Sequence, residues 1–290
     1  MSVLLSVVLR LVFWVGVMCL IAGVALVGPR RLYDLAHGVV PILRDAKRQI
    51  AGLLVVLVAS ALGRGALQSL SEVVGFRMTG TIYALEGGFV AWMQANYVTP
   101  ELTFYFSWIY IYGYVFLLVF PFIAYAALPR TTAFKRLMVA YALNYGIGLL
   151  FYTLILAHGP RNVMPDVVTS LLYTFNPDFQ ALTSEVNENT NVFPSLHTSL
   201  AVTAATFGVL TRREYPVWAI LSGWLAVSVM ISTMYLGIHW LVDVIGGIGL
   251  ALGCVYLSYR LVDDEDDPDG TADARGAESD ETPTLAGGGD

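Results

Sequence analysis

The distribution of apolar residues restricts the possible folds of this chain more than any other feature of its sequence. Seven apolar blocks succeed one another along the 290 residues. Most of them reach the roughly 20 residues that an α-helix needs to cross about 30 Å of hydrocarbon. No segment shows the two-residue alternation of a membrane β-barrel strand. The sequence therefore predicts an all-α, polytopic membrane helix bundle of about seven transmembrane helices. The blocks lie approximately at residues 11–28, 50–66, 103–128, 137–157, 197–211, 216–236 and 239–259.

The composition agrees with a membrane protein and bounds its chemistry. Only 13% of the residues are charged and 57% are hydrophobic, whereas a soluble domain has roughly a quarter of its residues charged. The two cysteines, Cys19 and Cys254, both lie inside apolar blocks and offer neither a metal-ligand spacing nor a disulfide framework. We expect an integral membrane protein without metal, cofactor or nucleic-acid partner. Its oligomeric state is left open by the sequence.

The basic residues of the connecting segments predict how the chain is oriented. The connections at 29–49, 129–136 and 212–215, together with Arg260, carry eleven lysines and arginines. The opposite side carries only Arg10, Arg77 and Arg161 outside the blocks. Because basic connections stay in the cytoplasm, we expect a multi-pass cell-membrane protein with its N-terminus outside and its C-terminal tail inside.

The same blocks divide the chain into three predicted parts. Residues 1–136 should form N-terminal transmembrane helices, residues 137–260 a catalytic transmembrane unit, and residues 261–290 a disordered acidic cytoplasmic tail. Between the second and third blocks, residues 81–95 are predicted to form an outer amphipathic helix, which either lies on the membrane surface or packs against the bundle. Its apolar residues recur at helical spacing: Ile82, Leu85, Phe89, Trp92 and Met93.

Three ionisable residues in two short motifs carry the predicted chemistry. His197 lies in Phe-Pro-Ser-Leu-His at the start of block five, and His239 and Asp243 lie between blocks six and seven. On a helix, His239 and Asp243 would share one face, so that the carboxylate can hold Nδ1–H and leave the lone pair of Nε2 free to attack. His197, at a helix start that favours anions, could act as the acid. By the predicted orientation, these residues and Arg161 all face the outside.

Structural roles for these residues are the alternatives. Ser195 could be an ordinary helix N-cap, the His239–Asp243 pair could be a structural contact, and Arg161 could be a loop charge. However, ionisable groups near a membrane are costly, and those that occur there are usually functional. Three of them at one face therefore favour a catalytic site.

The two motifs resemble those of the type 2 phosphatidic acid phosphatase superfamily. That family carries Pro-Ser-Gly-His and, later, Ser-Arg, five residues, His, three residues and Asp. The resemblance spans about residues 140–258 and is closest to the inositol phosphorylceramide synthases, a lipid phosphotransferase branch. It implies that His239 attacks phosphorus to form a phosphohistidine, that Asp243 supports it, and that His197 is first acid and then base. It also implies that Arg161, Ser195 and Leu196 bind the substrate.

Three positions depart from the family pattern. Leu196 replaces the glycine of the His197 motif, Thr233 replaces the arginine of the His239 motif, and Leu154 stands where the first family motif has lysine. Since two cations are missing, a phosphodiester with one charge less is favoured over a phosphomonoester. We therefore expect a lipid phosphatase or phosphotransferase at the outer membrane face. The alternative is a non-catalytic membrane protein of the same fold, a lipid translocator or scaffold.

Overall fold

The computed structural model describes residues 3–183 and 192–263, without the side chains of Arg64 and of residues 181–183. The predicted acidic tail lies outside the described residues from position 264 onward. The described residues form fourteen α-helices, and π-helical segments extend α1 (Gly23–Val27) and join α6 to α7 (Ile109–Gly113). The α-helices are α1 (Val3–Ala22), α2 (Pro29–Asp45), α3 (Lys47–Val74), α4 (Thr79–Glu86), α5 (Phe89–Tyr97), α6 (Pro100–Trp108), α7 (Tyr114–Ala126), α8 (Thr132–Leu154), α9 (Pro160–Val163), α10 (Leu171–Phe175), α11 (Asp178–Thr183), α12 (Leu196–Leu210), α13 (Pro216–Tyr235) and α14 (Leu241–Leu261).

Within the described ranges, five helical segments are long and apolar enough to cross a membrane. A sixth span exists if α2 and the first part of α3, which meet at an angle of 77°, count as one. Helix α12 is apolar but has only 15 residues, about 22 Å at 1.5 Å per residue. The all-α polytopic bundle is therefore confirmed, whereas the count of seven spans is not. The five segments are Val3–Val27, Pro100–Ala126, Thr132–Leu154, Pro216–Tyr235 and Leu241–Leu261.

Helix α12 lies at the centre of the bundle, packed against α8, α13 and α14. Large apolar side chains fill the spaces between these helices and α7, among them the fully buried Phe120, Phe207 and Trp218. The predicted boundary at 136/137 falls inside α8, which begins at Thr132. Since α12 and α14 run in the same direction, their N-termini lie at the same end of the bundle, and this brings the two motifs together.

Residues 81–95, predicted to form a single outer amphipathic helix, belong to two helices. Helix α4 ends at Glu86 and α5 begins at Phe89, because Gly87 adopts φ +63° between them, a conformation that favours glycine. Ile82 and Val90 are buried against the bundle, whereas Leu85 and Trp92 are exposed. Helices α4 and α5 thus pack on the bundle through their buried residues, and their other apolar side chains are exposed.

A short parallel strand pair lies at the end of the bundle where α3 and α8 end. Strand β1 (Phe76–Arg77), just after α3, pairs with β2 (Ile155–Leu156), just after α8. The pairing fixes where the chain leaves α8 and enters the loop that carries Arg161.

Candidate active site

The segment that carries His239 is a tight turn between α13 and α14. Gly237 has φ +73°, and the backbone N–H groups of Ile238 and His239 both donate to the carbonyl of Thr233, at 2.9 and 3.1 Å. Thr233, which replaces the family arginine, is fully buried, and its hydroxyl donates to the carbonyl of Met230 at 2.8 Å. The position that should supply a cation therefore supplies a carbonyl that shapes the turn.

The predicted contact between His239 and Asp243 is present, but it does not arise from two residues of one helix. Helix α14 begins at Leu241, so His239 precedes it. The Asp243 carboxylate turns back over the helix start, where Oδ2 accepts the backbone N–H of Trp240 at 2.8 Å and lies 3.4 Å from Nδ1 of His239. Asp243 is fully buried and His239 is 3% exposed. Capping the helix and orienting the imidazole are thus done by one carboxylate.

His197 occupies the first turn of α12. The hydroxyl of Ser195 accepts the backbone N–H of Thr198 at 3.3 Å, so Ser195 is the N-cap of this helix. The amide of Ser195 in turn donates to the backbone carbonyl of Asp243 at 3.0 Å, which joins the two motifs directly. The ring centroids of His197 and His239 lie 6.1 Å apart. The structure therefore brings the three predicted catalytic residues together at one end of the bundle.

Two tyrosines hold the His197 ring. Tyr110 stacks on it at 4.7 Å between centroids with 25° between the planes, and Tyr114 lies at 4.7 Å with 41°. They lie at and just after the π-helical segment that joins α6 to α7, and such segments are frequent at functional sites. The sequence gives no sign of this contact, because both tyrosines lie in an apolar block that is rich in aromatic residues.

The two motif-bearing helices approach closely at glycines. A Cβ on Gly247 would lie 2.5 Å from the carbonyl oxygen of Ser195, and one on Gly246 would lie 2.8 Å from the Phe193 ring. A Cβ on Gly249 or Gly253, further along α14, would meet nothing within 4 Å. Gly247 thus sets the distance between His197 and the His239–Asp243 pair.

Arg161 reaches the site from the loop after α8. Its backbone N–H donates to the carbonyl of Gly237 at 3.1 Å. Its guanidinium lies 4.9 Å from the Tyr173 ring centroid, with Nη2 3.4 Å from the tyrosine hydroxyl. Among the described residues, Nη1 is buried without a hydrogen-bond partner. A buried donor of this kind is costly unless a ligand accepts its hydrogen bond.

Leu196 lies beside His197 but its side chain is directed at α8. A Cβ on Gly148 would come within 2.5 Å of the Leu196 side chain, so the lack of a side chain at Gly148 makes room for the leucine. The predicted contact between Leu196 and substrate stays a prediction, and so does substrate binding by Ser195.

Two residues of the helix pair α4–α5 contact the His239 segment, and sequence reasoning missed both. Gln94 is 7% exposed and donates to the carbonyl of Tyr235 at 2.9 Å. Glu86 accepts the backbone N–H of Val242 at 3.1 Å. Burial raises the pKa of Glu86 above its ordinary value, and the hydrogen bonds from the α14 amides act in the opposite direction.

The chain is similar in sequence to a known protein family and to one characterised relative. Residues 83–257 match the family model described as the PAP2 superfamily, a stretch of more than half the chain. Over 128 residues the chain is 32% identical to phosphatidylglycerophosphatase B of Bacillus subtilis (strain 168). The aligned region covers 39% of this chain and 61% of that relative. The chain therefore spans less than two thirds of that relative's length. No solved structure matches significantly.

Proposed function

This chain belongs to the PAP2 superfamily, and from that premise we propose that it is a membrane lipid phosphatase acting through a phosphohistidine. The observation that supports the proposal best is the convergence of His197, His239 and Asp243 around one site, with 6.1 Å between the imidazole centroids. At this separation, one phosphoryl group bound beside the rings can contact both.

The first step transfers the phosphoryl group to His239. Asp243 accepts Nδ1–H of His239, so Nε2 carries the lone pair and attacks phosphorus. The N–P bond forms as the P–O bond to the lipid alcohol breaks, and protonated His197 donates its proton to the departing oxygen. The lipid alcohol leaves, and His197 is then neutral.

The second step returns the enzyme to its starting state. Neutral His197 takes a proton from a water molecule, whose oxygen attacks the phosphohistidine as the N–P bond breaks. The products are inorganic phosphate, free His239 and protonated His197. Arg161 binds the phosphoryl oxygens through Nη1, which has no partner among the described residues, and neutralises the charge that they carry in the transition state.

The substrate class follows from the surroundings of the site. His239 lies between the candidate membrane spans α13 and α14, and Asp243 lies in the first turn of α14, where a lipid head group can reach them. The name of the Bacillus relative points to a lipid phosphate. The excess of basic residues on the connections at the other end of the bundle supports an outer-face location for the site. We therefore propose that the substrate is a phospholipid or lipid phosphate of the outer leaflet.

A phosphotransferase is the second candidate, and the missing cations favour it. Leu154 and Thr233 stand where the family has lysine and arginine, so Arg161 would meet a diester head group, with one charge less, more easily than a monoester. In this reaction an alcohol replaces water in the second step. The products differ accordingly, since a lipid alcohol that attacks the phosphohistidine yields a new phospholipid instead of free phosphate.

The test combines trapping of the intermediate with product analysis. Purified protein is mixed with phosphatidylglycerophosphate labelled with radioactive phosphorus and quenched rapidly. We expect a labelled protein that is acid-labile and base-stable, and we expect neither label nor turnover with His239→Ala. His37→Ala, which changes an exposed histidine of α2, is the control and should behave like wild type.

Each outcome decides between the candidates. Turnover that survives in His239→Ala contradicts the proposed mechanism. Free phosphate identifies a hydrolase, and a labelled phospholipid formed only when a lipid alcohol is added identifies a transferase. A well-folded wild-type protein that neither traps label nor turns over monoesters and diesters is the non-catalytic alternative, a lipid translocator or scaffold.

A further inference from the structure

Gln94 makes a set of hydrogen bonds that is unusual for a side chain of a short helix. Its Nε2 donates to the carbonyls of Tyr235, at 2.9 Å, and of Thr169, at 3.0 Å. Its Oε1 accepts the backbone N–H of Thr169 at 2.8 Å. Three of the four hydrogen bonds that an amide side chain can form are therefore made, and all three go to backbone groups of two other segments.

Glu86 meets the same segment from the other helix of the pair. Its Oε2 accepts the backbone N–H of Val242 at 3.1 Å, next to the amide of Leu241 in the same helix. These amides belong to the first turn of α14, whose N–H groups have no partner within their own helix. A carboxylate is the favoured partner there, since it accepts the hydrogen bonds and opposes the positive end of the helix dipole.

The two contacts lie on either side of His239 along the chain. Tyr235 is four residues before His239 and ends α13, and Val242 is three residues after it in α14. The intervening turn contains Gly237, where a Cβ would lie 3.3 Å from Nε2 of Gln94. The helix pair α4–α5 is thus hydrogen-bonded to the end of one helix and the start of the next.

We infer that Glu86 and Gln94 are positioning residues, through which the helix pair α4–α5 holds the His239 segment in the orientation that attacks phosphorus. The inference rests on the proposed role of His239 as the nucleophile. Both side chains bond to backbone groups before and after His239. They therefore act through the backbone and not on the reacting atoms. A displacement of about 1 Å at a reacting group can lower a rate about 100-fold, so small movements of this turn should be visible in turnover.

This role predicts which kinetic constant changes. Neither substitution removes the Arg161 guanidinium, to which the proposed function assigns substrate binding. A displaced imidazole lowers the rate of phosphoryl transfer without weakening binding, so kcat should fall while KM stays nearly constant. If the helix pair α4–α5 served only to hold lipid, KM for the lipid would rise and a water-soluble phosphate ester would be unaffected.

The experiment measures kcat and KM for phosphatidic acid in mixed micelles and for water-soluble p-nitrophenyl phosphate. Gln94→Glu keeps the size of the side chain but removes both donated hydrogen bonds, and we expect kcat to fall about 10- to 100-fold for both substrates. Glu86→Ala should act in the same direction, and Glu86→Gln, which keeps an acceptor, should recover part of the loss. The matched controls are Asn96→Ala and Glu101→Gln, both exposed residues of the same region, which should retain wild-type kinetics.

Several results would overturn the inference. Variants that elute as monodisperse protein and keep kcat within twofold contradict it, and so does a rise in KM restricted to phosphatidic acid. A lower midpoint of thermal unfolding with unchanged kcat indicates a purely structural role and also contradicts it. If Gln94→Glu and Glu86→Ala fail to fold, the kcat of Glu86→Gln decides by the same threshold. Inactive wild-type protein, in contrast, contradicts the proposed function itself.

Discussion

Buried side-chain contacts at the site end of the helix bundle and exposed ion pairs at the opposite end should differ in what their loss costs. At the site end, buried side chains bind backbone groups of other segments, as Asp243 does with Trp240 and Gln94 with Tyr235. At the opposite end, ion pairs join side chains that are largely exposed on at least one partner: Lys135 with Asp45 at 2.6 Å and Arg31 with Glu214 at 3.1 Å. Loss of a buried hydrogen bond costs about 1–3 kcal/mol, whereas an exposed ion pair contributes about 0–1 kcal/mol. The loss of a buried contact at the site end should therefore change stability and geometry more than the loss of an exposed ion pair at the opposite end.

The largest effect in this comparison is expected at Asp243. Asp243→Asn keeps an oxygen that can accept the N–H of Trp240 but no longer fixes the tautomer or supports the charge of the imidazole. We expect kcat to fall about 10²- to 10⁴-fold, with the midpoint of thermal unfolding little changed. Phosphate release from phosphatidylglycerophosphate measures the effect, and Asp166→Asn, an exposed aspartate of the adjoining loop, is the control. Activity near that of wild type would mean that the contact is only a helix cap.

An intermediate effect is expected from the glycines of α14. In Gly247→Ala the new methyl group would overlap the carbonyl of Ser195, so α14 must move away from α12 and separate the imidazoles. We expect kcat to fall about 10-fold or more and the free energy of unfolding to fall by about 1–3 kcal/mol. Gly249→Ala lies on the same helix with open space around its Cβ and should leave both quantities unchanged. Equal effects of the two alanines would contradict the role of Gly247 as a spacer.

The smallest effect is expected at the opposite end. Asp45→Asn removes the negative charge from the ion pair with Lys135. The Asp45 side chain is 48% exposed. The free energy of unfolding should fall by about 1 kcal/mol or less, and kcat should stay within twofold. Raising the salt concentration should reduce even this difference, because salt screens exposed charges. A loss of activity comparable to that of Gly247→Ala would break the distinction between the two ends.

The fold class and the superfamily were both predictable from the sequence, for separate physical reasons. Membrane helices must satisfy every backbone hydrogen bond internally, so long apolar blocks leave few alternatives to a helix bundle. The motif around His239 has a fixed spacing to Asp243, and the family match over residues 83–257 confirms the superfamily. The membership of the inositol phosphorylceramide synthase branch stays a prediction.

What could not be predicted depends on contacts between distant segments. Gln94 meets Tyr235 across 141 positions and Glu86 meets Val242 across 156, and no local pattern marks such pairs. The count of membrane spans was uncertain for a related reason. Helices α2 and α3 bend by 77° where they meet, and apolar block length alone does not reveal a bend. The break at Gly87 was open to prediction, since two consecutive glycines interrupt the helical pattern there.

The π-helical segment Ile109–Gly113 adds one residue to a turn of the candidate membrane span Pro100–Ala126 and so changes the direction in which the residues after it face. A π turn holds one residue more than an α turn, and each residue rotates an α-helix by about 100°. On one side of the segment's centre, Tyr110 stacks on His197; on the other, Phe120 packs against Trp218 at 4.7 Å. Deleting a single residue between Tyr110 and Phe120 would bring the two halves back into phase and would leave one of these aromatic contacts without its partner. The length of this span is therefore set by register as well as by the thickness of the bilayer.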